Sequence, residues 1–138
     1  MPPRYIADKS ALARLRHSSV DRRLTPLLLA GDVASCGIID LELLYSARTY
    51  ADFVQLRTDR RALPSIEIGQ PDFDRASAVM QLLARRGKHR GVGIPDLLIA
   101  AVAERAEVAV LHYDGDFDLI GSVTGQKVEW IVPSGSVP

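Results

Sequence analysis

Ile94-Pro95-Asp96-Leu97-Leu98-Ile99-Ala100-Ala101-Val102-Ala103 is the stretch on which the fold turns. Proline at the second position suits a first helical turn, where its missing N–H costs nothing. The body from Leu97 to Ala103 has no polar side, and a helix that is apolar all round belongs in the centre of a protein. It is far too short to span a bilayer. Asp96 is the only ionisable residue between Arg90 and Glu104. A charge carried that far inward calls for a partner, and a cation is one.

Outward from this helix, short β-type runs alternate with longer stretches of helical periodicity. The runs are Tyr5 to Ala7, Val33 to Gly37, Ser65 to Ile68, Val108 to His112 and Val128 to Val132. Such alternation predicts an α/β fold: a central parallel sheet of about five strands with helices on both faces. The punctuation predicts a helix capped by Ser18-Ser19 and running through Pro26 to Ala30, and another beginning near Asp40. The latter carries Leu41, Leu44, Tyr45 and Arg48 on one face. Further helices are expected over Ala51 to Leu63 and from Pro71 to Gly87. No repeat, low-complexity tract or linker interrupts the chain, so residues 1–138 read as one domain.

Composition narrows the function. Seventeen basic and seventeen acidic residues cancel, so a polybasic nucleic-acid binder is disfavoured and any such contact must come from local clustering. The single cysteine, Cys36, lies in an apolar run and excludes both a disulfide framework and a thiolate zinc site. Met1-Pro2-Pro3-Arg4 lacks the layout of a signal peptide, which points to a cytoplasmic protein.

Five carboxylates stand at the junctions where strands hand over to helices. Asp8 follows the first run and precedes a helix, Glu42 lies in the first turn of the helix after the second run, and Asp96 opens the apolar helix. Asp114 and Asp116 follow the run that ends at His112. Each has a plain structural reading: an N-cap for Asp8, a dipole interaction for Glu42 and Asp96, a turn for Asp114-Gly115. Asp118 reads as solvated or capping. In open parallel sheets, however, ligands sit beyond the carboxyl ends of the strands, and right-handed crossovers keep those ends on one side. Residues a hundred positions apart can therefore meet. Oxygen donors without thiolate or clustered histidine suit Mg²⁺ or Mn²⁺, and such a site suits attack of water on a phosphodiester.

The segments Ile6-Ala7-Asp8-Lys9-Ser10-Ala11-Leu12, Asp40-Leu41-Glu42-Leu43-Leu44, Ile94-Pro95-Asp96-Leu97-Leu98-Ile99-Ala100-Ala101 and Asp114-Gly115-Asp116-Phe117-Asp118 together resemble the PIN-domain ribonucleases, and among them the VapC-type toxins. The resemblance covers essentially the whole chain. It implies a Mg²⁺- or Mn²⁺-dependent endoribonuclease, inhibited by a small cognate antitoxin and forming homodimers within a larger complex. It implies Asp8 and Asp96 as main metal ligands, Asp114 and Asp116 as the remaining acidic positions, Glu42 as the acid from the helix and Ser10 as a supporting hydroxyl. Lys9 and His112 depart from the residues usual at their positions, and they leave open whether one ion or two bind. The loop Arg85, Arg86, Lys88 and Arg90 is expected at the rim, holding RNA phosphates. A second basic face, Arg57, Arg60 and Arg61, reads as solvated helix, and Tyr45, Tyr50 and Phe53 are candidates for a partner groove. The alternatives are a haloacid-dehalogenase-type phosphatase, whose aspartate pair belongs after the first strand, and a catalytically silent binding module.

Overall fold

In the computed structural model, which describes residues 2–138, the strands are β1 (Tyr5–Ala7), β2 (Val33–Ala34), β3 (Ala109–His112) and β4 (Val128–Trp130). They form one sheet in the order β2-β1-β3-β4, and every pairing is parallel. Register is set by Tyr5 opposite Val33 on one side and opposite Ala109 on the other. The helices are α1 (Lys9–Leu12), α2 (Ser18–Leu29), α3 (Gly37–Tyr45), α4 (Tyr50–Arg61), α5 (Gln70–Ala84), α6 (Ile94–Ala106) and α7 (Gly115–Thr124), with a 3₁₀ turn at His89–Gly91.

Alternation along the strands splits the core in two. Ile6 and Val110 face a cluster built with α3, α5, α6 and α7, whereas Ala7 and Leu111 face a second cluster with Ala11, Val20 and Leu24 of α1 and α2. Helices therefore cover both faces of the sheet. The apolar helix lies where its composition requires: Asp96 to Ala103 of α6 are all buried. Arg105 near its end donates to the buried carboxylate of Asp72, which in turn accepts from the Gly69 N–H and starts α5.

The sheet has four strands rather than five. Ser65 makes a single parallel bridge with Ser35, closed by Ser35 N–H to Pro64 O and Ile66 N–H to Ser35 O, both 2.8 Å. The cause lies in α3, which starts at Gly37 and not near Asp40, leaving β2 only two residues long. The face of α3 also differs from the sequence expectation. Ile39 and Leu43 are buried, while Leu41 and Tyr45 are 66% and 91% exposed. In α2 the N-cap position falls on His17, so Ser18 and Ser19 lie inside the helix. Helix α4 opens on Thr49, whose hydroxyl accepts from the Asp52 N–H.

Arg60 is not part of a solvated face. It is 8% exposed and donates to Asp40 at 2.9 Å and to the Ser35 hydroxyl, which itself donates to Asp40 at 2.7 Å. This network ties β2, α3 and α4 together next to the sheet edge. Among the described residues, no helix is long and apolar enough to cross a membrane.

Candidate functional site

The carboxyl ends of β1 and β3 are stitched together by the first residues of their connecting segments. The Asp8 N–H donates to Leu111 O at 2.9 Å. Oδ2 of Asp8 accepts from the Ser10 N–H at 3.0 Å and the Ser10 hydroxyl at 2.6 Å, and that hydroxyl accepts from the Tyr113 N–H at 2.8 Å. One carboxylate oxygen of Asp8 thus caps α1, as Asp-x-Ser at a helix start favours. The other, Oδ1, is buried and has no partner. A buried unpaired carboxylate oxygen is costly, and a cation or a bound donor relieves it.

Asp114 occupies the N-cap of α7, its Oδ1 accepting from the Asp116 N–H at 2.9 Å. Asp116 reaches across to the start of α6, where its Oδ2 accepts from the Gly93 N–H at 3.2 Å. Asp96, three residues on from Gly93, is only 9% exposed. Carboxylate oxygens of Asp96, Asp114 and Asp116 lie within 4.8 Å of one another. Burial above all, then the Asp116 carboxyl and the charges of Asp8 and Asp114, pushes the Asp96 carboxyl up to about 9. Like-charged groups this close cannot all ionise cheaply unless a cation joins them.

Glu42 projects from α3 into the same space. Its Oε1 is buried and unpartnered, and burial followed by the charge of Asp8 raises its carboxyl, with Lys9 opposing the rise. Asp8, Glu42, Asp96 and Asp114 line one crevice of about 360 Å³ together with Lys9, Ser10 and Arg14. Asp116 is not part of that lining and joins it through Asp96 and Asp114. Of the expected ligands, Asp8 shares the crevice but is outside the tight trio. Two orphaned buried oxygens and a trio of carboxylates make a hard-donor set that fits a divalent cation taking oxygen ligands and retaining waters.

His112, whose role the sequence left open, is fully buried. Its Nδ1 accepts from the Asp114 N–H at 3.2 Å, and its ring packs 5.1 Å from Phe117 and 5.0 Å from Trp130. Desolvation lowers its pKa, against the pull of Asp118. A neutral imidazole accepting at Nδ1 fixes the backbone from which Asp114 hangs. Asp118 accepts from the Trp130 indole N–H at 2.8 Å, so it is a packing residue at the exposed edge of this group. Nothing in the sequence pattern signals the Gly93 N–H, a backbone donor from another segment, or that the His112 ring turns its Nδ1 onto the Asp114 N–H two residues on.

Arg85, Arg86, Lys88 and Arg90 are all exposed, and none forms an ion pair among the described residues. Gly87 turns the chain here with a φ of 68°. Gly93, three residues beyond Arg90, holds Asp116, which joins this loop to the rim of the crevice.

A parallel sheet covered on both faces, with acids from three strand-to-helix junctions and α6 meeting beyond its carboxyl edge, defines an α/β protein whose chemistry is carried by clustered carboxylates. The family model of the PIN domain matches residues 5–122. The chain belongs to the PIN-domain family, and within it to the VapC group. Ribonuclease VapC51 of Mycobacterium tuberculosis is 45% identical over 137 residues, covering 99% of both chains. Ribonuclease VapC18 of the same organism is 38% identical over 135 residues, covering 96% of this chain and 98% of its own. Among solved structures, DNA-bound VapBC from Salmonella typhimurium superposes with a TM-score of 0.76 at 17% identity, covering 96% of this chain and 100% of the other. VapBC-1 from nontypeable Haemophilus influenzae gives 0.73 at 18%, covering 92% and 97%. These structures speak for the fold.

Proposed function

We propose that the protein is a Mg²⁺- or Mn²⁺-dependent endoribonuclease and the toxin of a toxin-antitoxin pair, acting in the cytoplasm. The observation that carries this reading is the convergence of Asp8, Glu42, Asp96 and Asp114 on one crevice with two buried carboxylate oxygens left unpaired. The names of the ribonuclease relatives support the substrate class.

Asp96, Asp114 and Asp116 would hold the ion, with Asp8 Oδ1 completing the set from the facing strand end. Once bound, the ion supplies Lewis acidity toward the phosphate and lowers the pKa of nearby water. Ser10 orients Asp8 by holding its Oδ2, which leaves Oδ1 aimed at the site. Glu42, ionised once the neighbouring charge is neutralised, accepts a proton from the attacking water at Oε1. His112 and Gly93 fix Asp114 and Asp116 through backbone hydrogen bonds. Arg85, Arg86, Lys88 and Arg90 hold flanking RNA phosphates, which positions a strand without reading its bases. Antitoxin binding and homodimerisation draw on the apolar surface that α3 and α4 leave uncovered, where Leu41, Tyr45 and Tyr50 are 66%, 91% and 84% exposed. The solved toxin-antitoxin complex from Klebsiella pneumoniae, with a TM-score of 0.70, is consistent with such a partner.

Incubation with structured RNA, with Mg²⁺ or Mn²⁺ and then with a chelator, tests the reading. Metal-dependent cleavage that Asp8→Asn or Asp96→Asn abolishes is expected. Cleavage that survives in both variants refutes the assigned site, and its absence in the parent protein removes the enzymatic reading.

A further inference from the structure

Five carboxylates make a poor host for a polyanion. A divalent ion cancels only part of the charge of Asp8, Glu42, Asp96, Asp114 and Asp116, and what remains repels any phosphodiester that enters. The protein must supply positive charge inside the crevice as well as at its rim. Two cations line it, Lys9 and Arg14.

Arg14 is already committed. Its Nη1 donates to Ser10 O at 2.7 Å and its Nε to Pro138 O at 3.1 Å, and its guanidinium lies 4.4 Å from the centroid of the Tyr113 ring. Tyr113 in turn donates from its hydroxyl to Val137 O at 2.7 Å, so Arg14 and Tyr113 together anchor the segment that follows β4. Lys9 is different. It opens α1 directly after the capping Asp8, is partly exposed, and takes part in no side-chain hydrogen bond or ion pair among the described residues. Its charge acts on Glu42 without ion-pair contact. A lysine ammonium is a compact charge with three donors on a flexible stem, and here all three remain available. The adjacent Asp8 Oδ1, buried and unpaired, marks the same spot as a place built to receive a ligand.

We propose that Lys9 is the substrate-holding cation of the site, its ammonium binding a non-bridging oxygen of the phosphodiester that enters the crevice. This rests on the ribonuclease reading above. Lys9 holds the phosphate from the β1 side while the basic loop holds its neighbours from the α6 side, so the strand is pinned on both flanks of the acids.

The test measures binding of a short single-stranded oligoribonucleotide in an Asp96→Asn background, across a range of salt, with cleavage measured in the parent background. Lys9→Gln is expected to weaken binding and lower kcat/KM by about ten- to a hundredfold, the scale of one charge-assisted hydrogen bond. The slope of log affinity against log salt becomes shallower by about 0.7, the contribution of one phosphate contact on a single strand. Lys9→Arg restores both, and Mn²⁺ binding to Lys9→Gln is unchanged or tighter because a like charge has gone. Unchanged RNA affinity and salt slope in Lys9→Gln, while the parent still cleaves RNA, overturns the assignment of Lys9 alone. Loss of Mn²⁺ binding in Lys9→Gln also overturns it, by making the lysine a structural element of the acid cluster. A parent protein that neither binds nor cleaves RNA removes this inference together with the functional reading.

Discussion

Replacing Asp96 by asparagine is expected to stabilise the metal-free fold at neutral pH while it abolishes cleavage. Asp96 is 9% exposed, and burial with the nearby Asp116, Asp8 and Asp114 carboxyls raises it from 3.8 to about 9. The folded chain therefore holds this proton more tightly than the unfolded chain does. The stability that goes with it is whole below the unfolded value and drains away as pH rises toward the folded one. At neutrality, roughly three pH units above the unfolded value, the loss has a ceiling of about 4 kcal/mol. The neighbouring carboxyls share protons with Asp96 and the crevice opens to water, so about 2 kcal/mol is the expected gain for an isosteric neutral side chain. For a chain of this length that is a rise of several degrees in Tm. Melting curves from about pH 5 to pH 8.5 in chelator are the assay, the window in which the linkage predicts the parent's Tm to fall and that of Asp96→Asn to fall less steeply, with the raised Glu42 carboxyl still contributing. Added Mn²⁺ raises the parent's Tm and leaves the variant's nearly unmoved, since binding to the folded state alone stabilises it. A variant that melts below the parent at the upper end of that range, beside a parent whose Tm is flat with pH, refutes the view of Asp96 as a buried charge awaiting a cation.

Three further outcomes follow from the geometry. Neutralising Arg86, Lys88 and Arg90 together weakens RNA binding and reduces its salt slope by about 2, from about 0.7 per lost phosphate contact; unaltered binding would sink the role given to this loop. Arg60→Ala leaves Asp40 and the buried Ser35 without their cation, and urea unfolding should register a loss of about 3 kcal/mol. A loss below about 1 kcal/mol would mean that water replaces the guanidinium there. Glu107 ends α6 in the left-handed region at a φ of 58°, so Glu107→Gly raises stability by about 1 kcal/mol, and a destabilised variant would contradict the strain assigned to it.

Layering was legible in the sequence because it depends on periodicity alone. A helix apolar from Leu97 to Ala103 has one place to go, and the parallel strands beside it follow. Strand count was not, and the reason is local. The run Val33 to Gly37 reads as a strand by composition, but the backbone turns helical at Gly37 and takes the last residues of the run into α3 and its cap. A β2 of two residues offers Ser65 only the bridge at Ser35, so the run Ser65 to Ile68 cannot extend into a ladder. One misplaced helix start thus accounts for both the missing strand and the misassigned face of α3. Side-chain composition does not distinguish the two, because Ile38 and Ile39 suit either element.

At the site, the sequence posed a choice that the structure dissolves. Asp8 could be read as a helix cap or as a ligand, and Asp114 as a turn residue or as a ligand. A carboxylate has two oxygens. Asp8 spends Oδ2 on the Ser10 N–H and hydroxyl and leaves Oδ1 buried and open, while Asp114 spends Oδ1 on the Asp116 N–H and still stands in the trio with Asp96. The cap fixes the direction in which the remaining oxygen points, so capping prepares the site instead of competing with it. What stayed illegible is what holds the acids in place: Tyr113 N–H on Ser10 and Gly93 N–H on Asp116, both reaching across the fold, and the buried His112 ring, whose Nδ1 takes the N–H of Asp114 two residues on. Two of these three are backbone donors from distant segments and the third is a backbone donor captured by a buried ring. A backbone donor has no residue type to announce it, and its position is known only after the strands have been brought into register.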